Sequence, residues 1–168
     1  MSRGRTVVLG VGNLLLRDEG VGIHAVRRLT QEYRLPAEVE VVDGGCAGYA
    51  LFEVVARAER VVVVDALLTE APAGTMFRFR PADLDGEVGG GDRLSLHDVG
   101  ILEVLQAAQL LGHRPEVVIL GVQPADVSPF GVELSPALAG VLPELVERLA
   151  AELTAMGHPV ARRGGADA

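Results

Sequence analysis

The chain has 168 residues, 49% of them hydrophobic, and a formal net charge of −8. That length fits one domain spanning residues 1–168 with a proper core, and the acidic balance excludes the basic footprint that holds DNA or RNA. A single cysteine, Cys46, excludes an internal disulfide and fits a reducing cytoplasm. The valine-rich runs fall far short of the ~20 apolar residues of a membrane span. Asn13 and then Arg17-Asp18-Glu19 interrupt the N-terminal apolar run, so no secretion signal is read and the expected location is cytoplasmic.

Thr6 to Val11 is apolar on both parities, the mark of a strand covered on both faces, and Gly10 to Gly12 lets the chain turn. From Gly20 to Tyr33, Val21, Ala25, Leu29 and Tyr33 recur every fourth residue, which predicts a helix with one buried stripe, ended by Pro36. Val39 to Val42 predicts a second strand ending in Asp43-Gly44-Gly45, Tyr49 to Ala58 a second helix, and Arg60 to Ala66 a third strand. A β-α-β-α-β series calls for parallel strands with right-handed crossovers, so the carboxyl ends of these strands share one edge.

The connection to the next strand, Thr75 to Arg80, contains Pro72 and Gly74 and is too short for a parallel crossover, so that strand should run antiparallel. The Gly-rich stretch Pro81 to Arg93 then carries the chain to a helix opening at Ser95, where Ser95 and Asp98 resemble a capping box. Glu116 to Val122 predicts the last buried strand. Ser135-Pro136 suits the start of a closing helix reaching Met156, which Pro143 should break or kink. The core is expected over residues 6–156, with the tail from 157 frayed.

Three potential metal ligands follow three apolar stretches: Glu19 after TVVLGVGN, Asp65 ending RVVVVD, and His97 in SLHDVG. Two carboxylates and an imidazole suit a borderline divalent ion such as nickel or zinc and leave coordination positions for a substrate. On the residues alone, His97 reads equally as a buried histidine hydrogen-bonded near a helix cap, and Asp65 as a strand-end turn acid. Asp18 could bind the same ion or cap the helix at Val21. His24, His113 and His158 read as surface or internally satisfied histidines, and Cys46 as buried and inert, since no third residue orients a thiol–imidazole pair.

A dinucleotide reading, with Gly10 and Gly12 in the fingerprint and Asp43 on the ribose, fails at its third glycine. Leu15 stands there, and two acids follow where a pyrophosphate would approach. A nucleotide-binding oxidoreductase is therefore the weakest functional reading. Neither a G-x-S-x-G elbow nor H-E-x-x-H is present.

GVGNLLLRDEGVG, VVDGGCAG, VVVVDA, GTM and SLHDVG, in this order, resemble the hydrogenase maturation endopeptidases, proteases that process the large subunit of nickel-iron hydrogenases. The resemblance runs from about Thr6 to the closing helix. It implies an α/β/α sandwich around a five-stranded mixed sheet of order 2-1-3-5-4, with strand four antiparallel. It also implies that Glu19, Asp65 and His97 bind metal and that Asp43 serves substrate recognition or cleavage. Many relatives carry threonine where this chain has Cys46.

The implied activity is removal of the C-terminal extension from a large-subunit precursor, after a histidine or arginine in a Cys-x-x-Cys-x-x-His/Arg motif, once nickel has been inserted. Nickel then arrives with the precursor, and cadmium or zinc can take its place in the isolated protein. The precursor is the expected partner, with no nucleic acid or membrane, and the protein is expected to act as a monomer. The alternative is a checkpoint that binds the nickel-loaded precursor without cutting it.

Overall fold

A computed structural model describes residues 4–45, 48–81, 95–96 and 101–164. Five strands form its central sheet: β1 (Thr6–Val11), β2 (Val39–Gly45), β3 (Arg60–Leu68), β4 (Met76–Phe79) and β5 (Glu116–Val122). Their order is β2-β1-β3-β5-β4. All neighbours are parallel except β4, which runs antiparallel to β5 from Met76 opposite Val122 to Phe79 opposite Ile119. The expected sheet order and the single antiparallel strand are both borne out. Buried Gln123 closes the short β3–β4 connection, where its Oε1 accepts from the amide of Thr69 at 2.6 Å and from its hydroxyl at 2.8 Å.

Alternation along the strands divides the core between two faces. Val8, Val62, Val64, Val118 and Leu120 point towards α1 (Val21–Glu32) and α4 (Pro136–Ala155). Val7, Leu9, Val61, Val63 and Ile119 point towards α2 (Phe52–Ala56) and α3 (Ile101–Leu110). Helices cover both faces, which is why β1 and β3 read as continuous apolar runs rather than alternating ones. The result is the expected three-layer α/β/α sandwich.

Four local expectations change. Ser95–Leu96, where a helix is expected to open, is a short strand pairing antiparallel with Leu68 and Leu67 at the end of β3, and the described part of α3 begins at Ile101. The predicted second helix divides into a 3-10 turn, Gly48–Leu51, followed by α2.

Pro143 does not break α4. It leaves the carbonyl of Ala139 without its helical donor, but Leu138, Leu142, Leu145 and Val146 anchor both sides of that turn in the core. The residues after 157, expected to fray, are docked as far as 164. Ala161–Arg162 pairs with Tyr33–Arg34, the Arg162 guanidinium lies 5.3 Å from the Tyr33 ring centre, and Arg163 donates to the carbonyls of Thr30 and Tyr33. Cations at the carboxyl end of α1 complement its dipole.

Candidate functional site

The carboxyl ends of β1, β2, β3 and β5 form one edge of the sheet, towards which lie Asp43 in β2, Asp65 in β3 and Glu19 in the turn after β1. After β1 the chain reverses tightly. Gly12 adopts φ 137°, and a Cβ there would lie 1.9 Å from the carbonyl oxygen of Glu19, so only glycine lets this loop fold back on itself. A 3-10 turn, Arg17–Gly20, then leads into α1.

Gly22 sits against the carbonyl oxygens of Val64 and Val11, which a Cβ would approach to 2.2 and 2.6 Å. That close approach presses the start of α1 onto the end of β3, next to Asp65. The backbones carrying Glu19 and Asp65 are thus held at the same edge by two positions that tolerate no side chain.

Both acids are nearly inaccessible to solvent, Glu19 at 5% and Asp65 at 1% exposure. Asp65 uses Oδ1 to accept the amide of Ala66 at 2.8 Å. Buried carboxylates persist only where donors or cations surround them, and hard oxygen donors beside strand ends are suitable chemistry for a divalent ion. His97 and Cys46 lie outside the described residues. Among the described residues no cluster of three metal-binding side chains forms.

Asp43 is placed differently from Asp65. It lies opposite Gly10 in the β1–β2 register, on the face covered by α1, whereas Asp65 shares the parity of Val61 and Val63 on the other face. Its Oδ2 accepts from Arg27 of α1 at 2.9 Å, and the pair is about half exposed. The cation that compensates Asp43 is therefore a guanidinium of its own chain. Nothing in the sequence pattern singled out Arg27, because the pairing joins a helix to the next strand across the sheet face.

Asp18 neither caps α1 nor points to solvent. Fully buried, it accepts the amides of Ala125, Asp126 and Ser135 and the hydroxyl of Ser135, all within 2.8 Å, and so ties the β1–α1 loop to the β5–α4 loop. A carboxylate with four donors is a structural staple. The cap of α1 is Gly20, with no side-chain bond.

The remaining histidines have partners in the fold. His158 is buried, with Nε2 2.7 Å from the Thr6 hydroxyl; His24 Nε2 lies 3.1 Å from the Val132 carbonyl; His113 meets the Phe52 ring edge-on.

Known proteins with this arrangement agree with one another. The family model for HycI, the hydrogenase maturation protease, matches residues 23–152. The hydrogenase expression/formation protein HupD of Rhodobacter capsulatus is 35% identical over 159 residues, covering 94% of this chain and 75% of the relative. The hydrogenase 2 maturation protease of Escherichia coli is 34% identical over 155 residues, covering 91% of this chain and 93% of the relative. The solved structure of the E. coli hydrogenase maturating endopeptidase HybD superimposes with a TM-score of 0.85 at 32% identity, covering 96% of this chain and 99% of that one. The chain belongs to the hydrogenase maturation protease family, a family of endopeptidases.

Proposed function

We propose that this endopeptidase removes the C-terminal extension of a nickel-iron hydrogenase large-subunit precursor in the cytoplasm, after nickel insertion, and that it recognises its substrate through the nickel. The observation that carries this reading is the pair of buried carboxylates, Glu19 and Asp65, at the carboxyl edge of the sheet in a chain of this family. Together with His97 they make a mixed oxygen and nitrogen donor set suited to a borderline divalent ion and open to further ligands. Cadmium or zinc would occupy the same donors in the isolated protein.

Nickel in this scheme is part of the substrate. It brings Lewis-acid polarisation of the scissile carbonyl or of an attacking water. The chain's own residues supply position: Glu19, Asp65 and His97 hold the loaded precursor so that one peptide bond is presented repeatedly in the same geometry. Asp43, kept in place by Arg27 through Oδ2, has Oδ1 available to accept a peptide N–H and align the segment.

The test is incubation of the purified protein with nickel-loaded and nickel-free precursor, with products weighed by mass spectrometry. Loss of the extension from the loaded form alone is expected. Equal cleavage of both forms would remove nickel as the recognition element, and binding without cleavage would leave a checkpoint instead of a protease.

A further inference from the structure

Most large apolar side chains among the described residues are covered, yet Leu15, Phe130 and Val132 are 54%, 84% and 56% exposed. They belong to two loops at the carboxyl edge of the sheet that are bonded to each other. The amide of Gly131 donates to the carbonyl of Leu15 at 2.9 Å, and the amide of Arg17 donates to the carbonyl of Gly131 at 2.8 Å, forming a parallel bridge between Leu16 and Gly131.

The Asp18 carboxylate fixes both loops from below, through Ala125, Asp126 and Ser135. The apolar groups are therefore displayed on a rigid mount, and Glu19 follows four residues after Leu15 in the same loop. Apolar side chains held out to solvent on a fixed support mark a recognition surface.

Charge narrows the occupant. Arg17, the arginine that lies against Gly131 at this surface, is engaged by an acid, with Asp126 at 3.7 Å. Glu133, exposed beside Val132, makes no ion pair among the described residues, and the whole chain carries a net charge of −8. An apolar segment bearing positive charge complements such a surface.

We propose that Leu15, Phe130 and Val132 form the docking surface for the precursor segment beside the scissile bond, an apolar stretch carrying at least one basic side chain. This rests on the functional reading above and adds the part of the enzyme that grips polypeptide, separate from the donors that grip metal.

The test compares three proteins in binding to nickel-loaded precursor by thermophoresis at low temperature, with mass spectrometry of the same samples recording cleavage. They are the wild type, Leu15→Ser/Phe130→Ser/Val132→Ser, and a control at the amino edge of the sheet, Leu110→Ser/Leu111→Ser, whose residues are 87% and 70% exposed. The triple variant should bind about tenfold more weakly or worse, and the control should match the wild type. Added salt should weaken the wild type. Should the triple variant melt early, Phe130→Ser alone replaces it, with a several-fold loss expected.

Unchanged affinity in the patch variant, or equal weakening in patch and control, would overturn the proposal. So would a wild-type dimer in sedimentation that the patch substitutions dissolve, because the surface would then serve a second copy. Patch-dependent binding without cleavage would sink the protease reading and leave docking standing. Cleavage with equal affinities would do the reverse.

Discussion

Asp18 accepts both the amide and the hydroxyl of Ser135, each at 2.7 Å, across 117 residues of chain. The same hydroxyl oxygen accepts the amide of Leu138 as the N-cap of α4, so one carboxylate holds the helix cap and, through Ala125 and Asp126, the loop before it. Asp18→Ala should destabilise the protein by about 3–5 kcal/mol, because four charge-assisted hydrogen bonds to a fully buried carboxylate are lost at once. Asp18→Asn keeps the volume but turns an amide N–H₂ towards donors, and should recover only part of that loss. Urea unfolding of both variants checks this; a loss below about 1 kcal/mol for Asp18→Ala would show that the staple is dispensable.

Gly22 is the contact that presses α1 onto the edge of β3. Gly22→Ala places a methyl group 2.2 Å from the Val64 carbonyl oxygen, where only backbone movement relieves the overlap. The expected outcome is overpacking of about 1–3 kcal/mol, with displacement of the loop carrying Glu19 away from Asp65. Processing should therefore fall more steeply than stability. Thermal melts paired with a processing assay measure the two, and full activity in a folded Gly22→Ala protein would show that this spacing does not matter.

Much of this architecture was legible because burial on both faces writes itself into composition: Val61 to Val64 has no polar residue to alternate with. The antiparallel β4 followed from a chain-length constraint that side chains do not affect. The strand at Ser95–Leu96 is not legible in the sequence because its pairing with Leu67 and Leu68 is made by backbone groups that carry no residue signature. Arg163 reads as part of a frayed tail because its acceptors, the carbonyls at the end of α1, are more than a hundred residues away in sequence. At the site, Glu19 and Asp65 could be placed on one edge from strand direction alone. The partners of Asp18 and Asp43 could not, since they depend on which loops and faces meet after folding.

Asp126 gives the fold a weak acid dependence. The hydroxyl of Ser128 and then its amide hold the carboxylate below its usual value of 3.8, with Arg17 adding to this and partial burial opposing it. A lowered folded-state value means stabilisation that is complete above pH 3.8 and is lost as pH falls through the lower folded value. Asp126→Asn should melt slightly below the wild type at neutral pH, and the gap should close in strong acid. Melting curves from neutral pH to about pH 2 test this, and a gap that widens in acid would contradict the assignment.

Glu19→Gln, Asp65→Asn and His97→Ala should each slow precursor processing about tenfold or more while leaving the protein folded, because an open site with few donors loses much of its grip when one is removed. Asp65→Asn is the sharpest of the three: its amide oxygen can still accept the Ala66 N–H, so the strand end is preserved while the charge is removed. Cys46→Thr should retain activity, which separates a structural thiol from a nucleophile. Cadmium, nickel or zinc added to the isolated wild type should bind at one shared site that each of the three ligand substitutions weakens in calorimetry. Anomalous scattering from a cadmium-soaked crystal would locate the ion. An ion found at His24, His113 or His158, with wild-type processing by any two of the ligand variants, would move the metal site away from the carboxyl edge of the sheet.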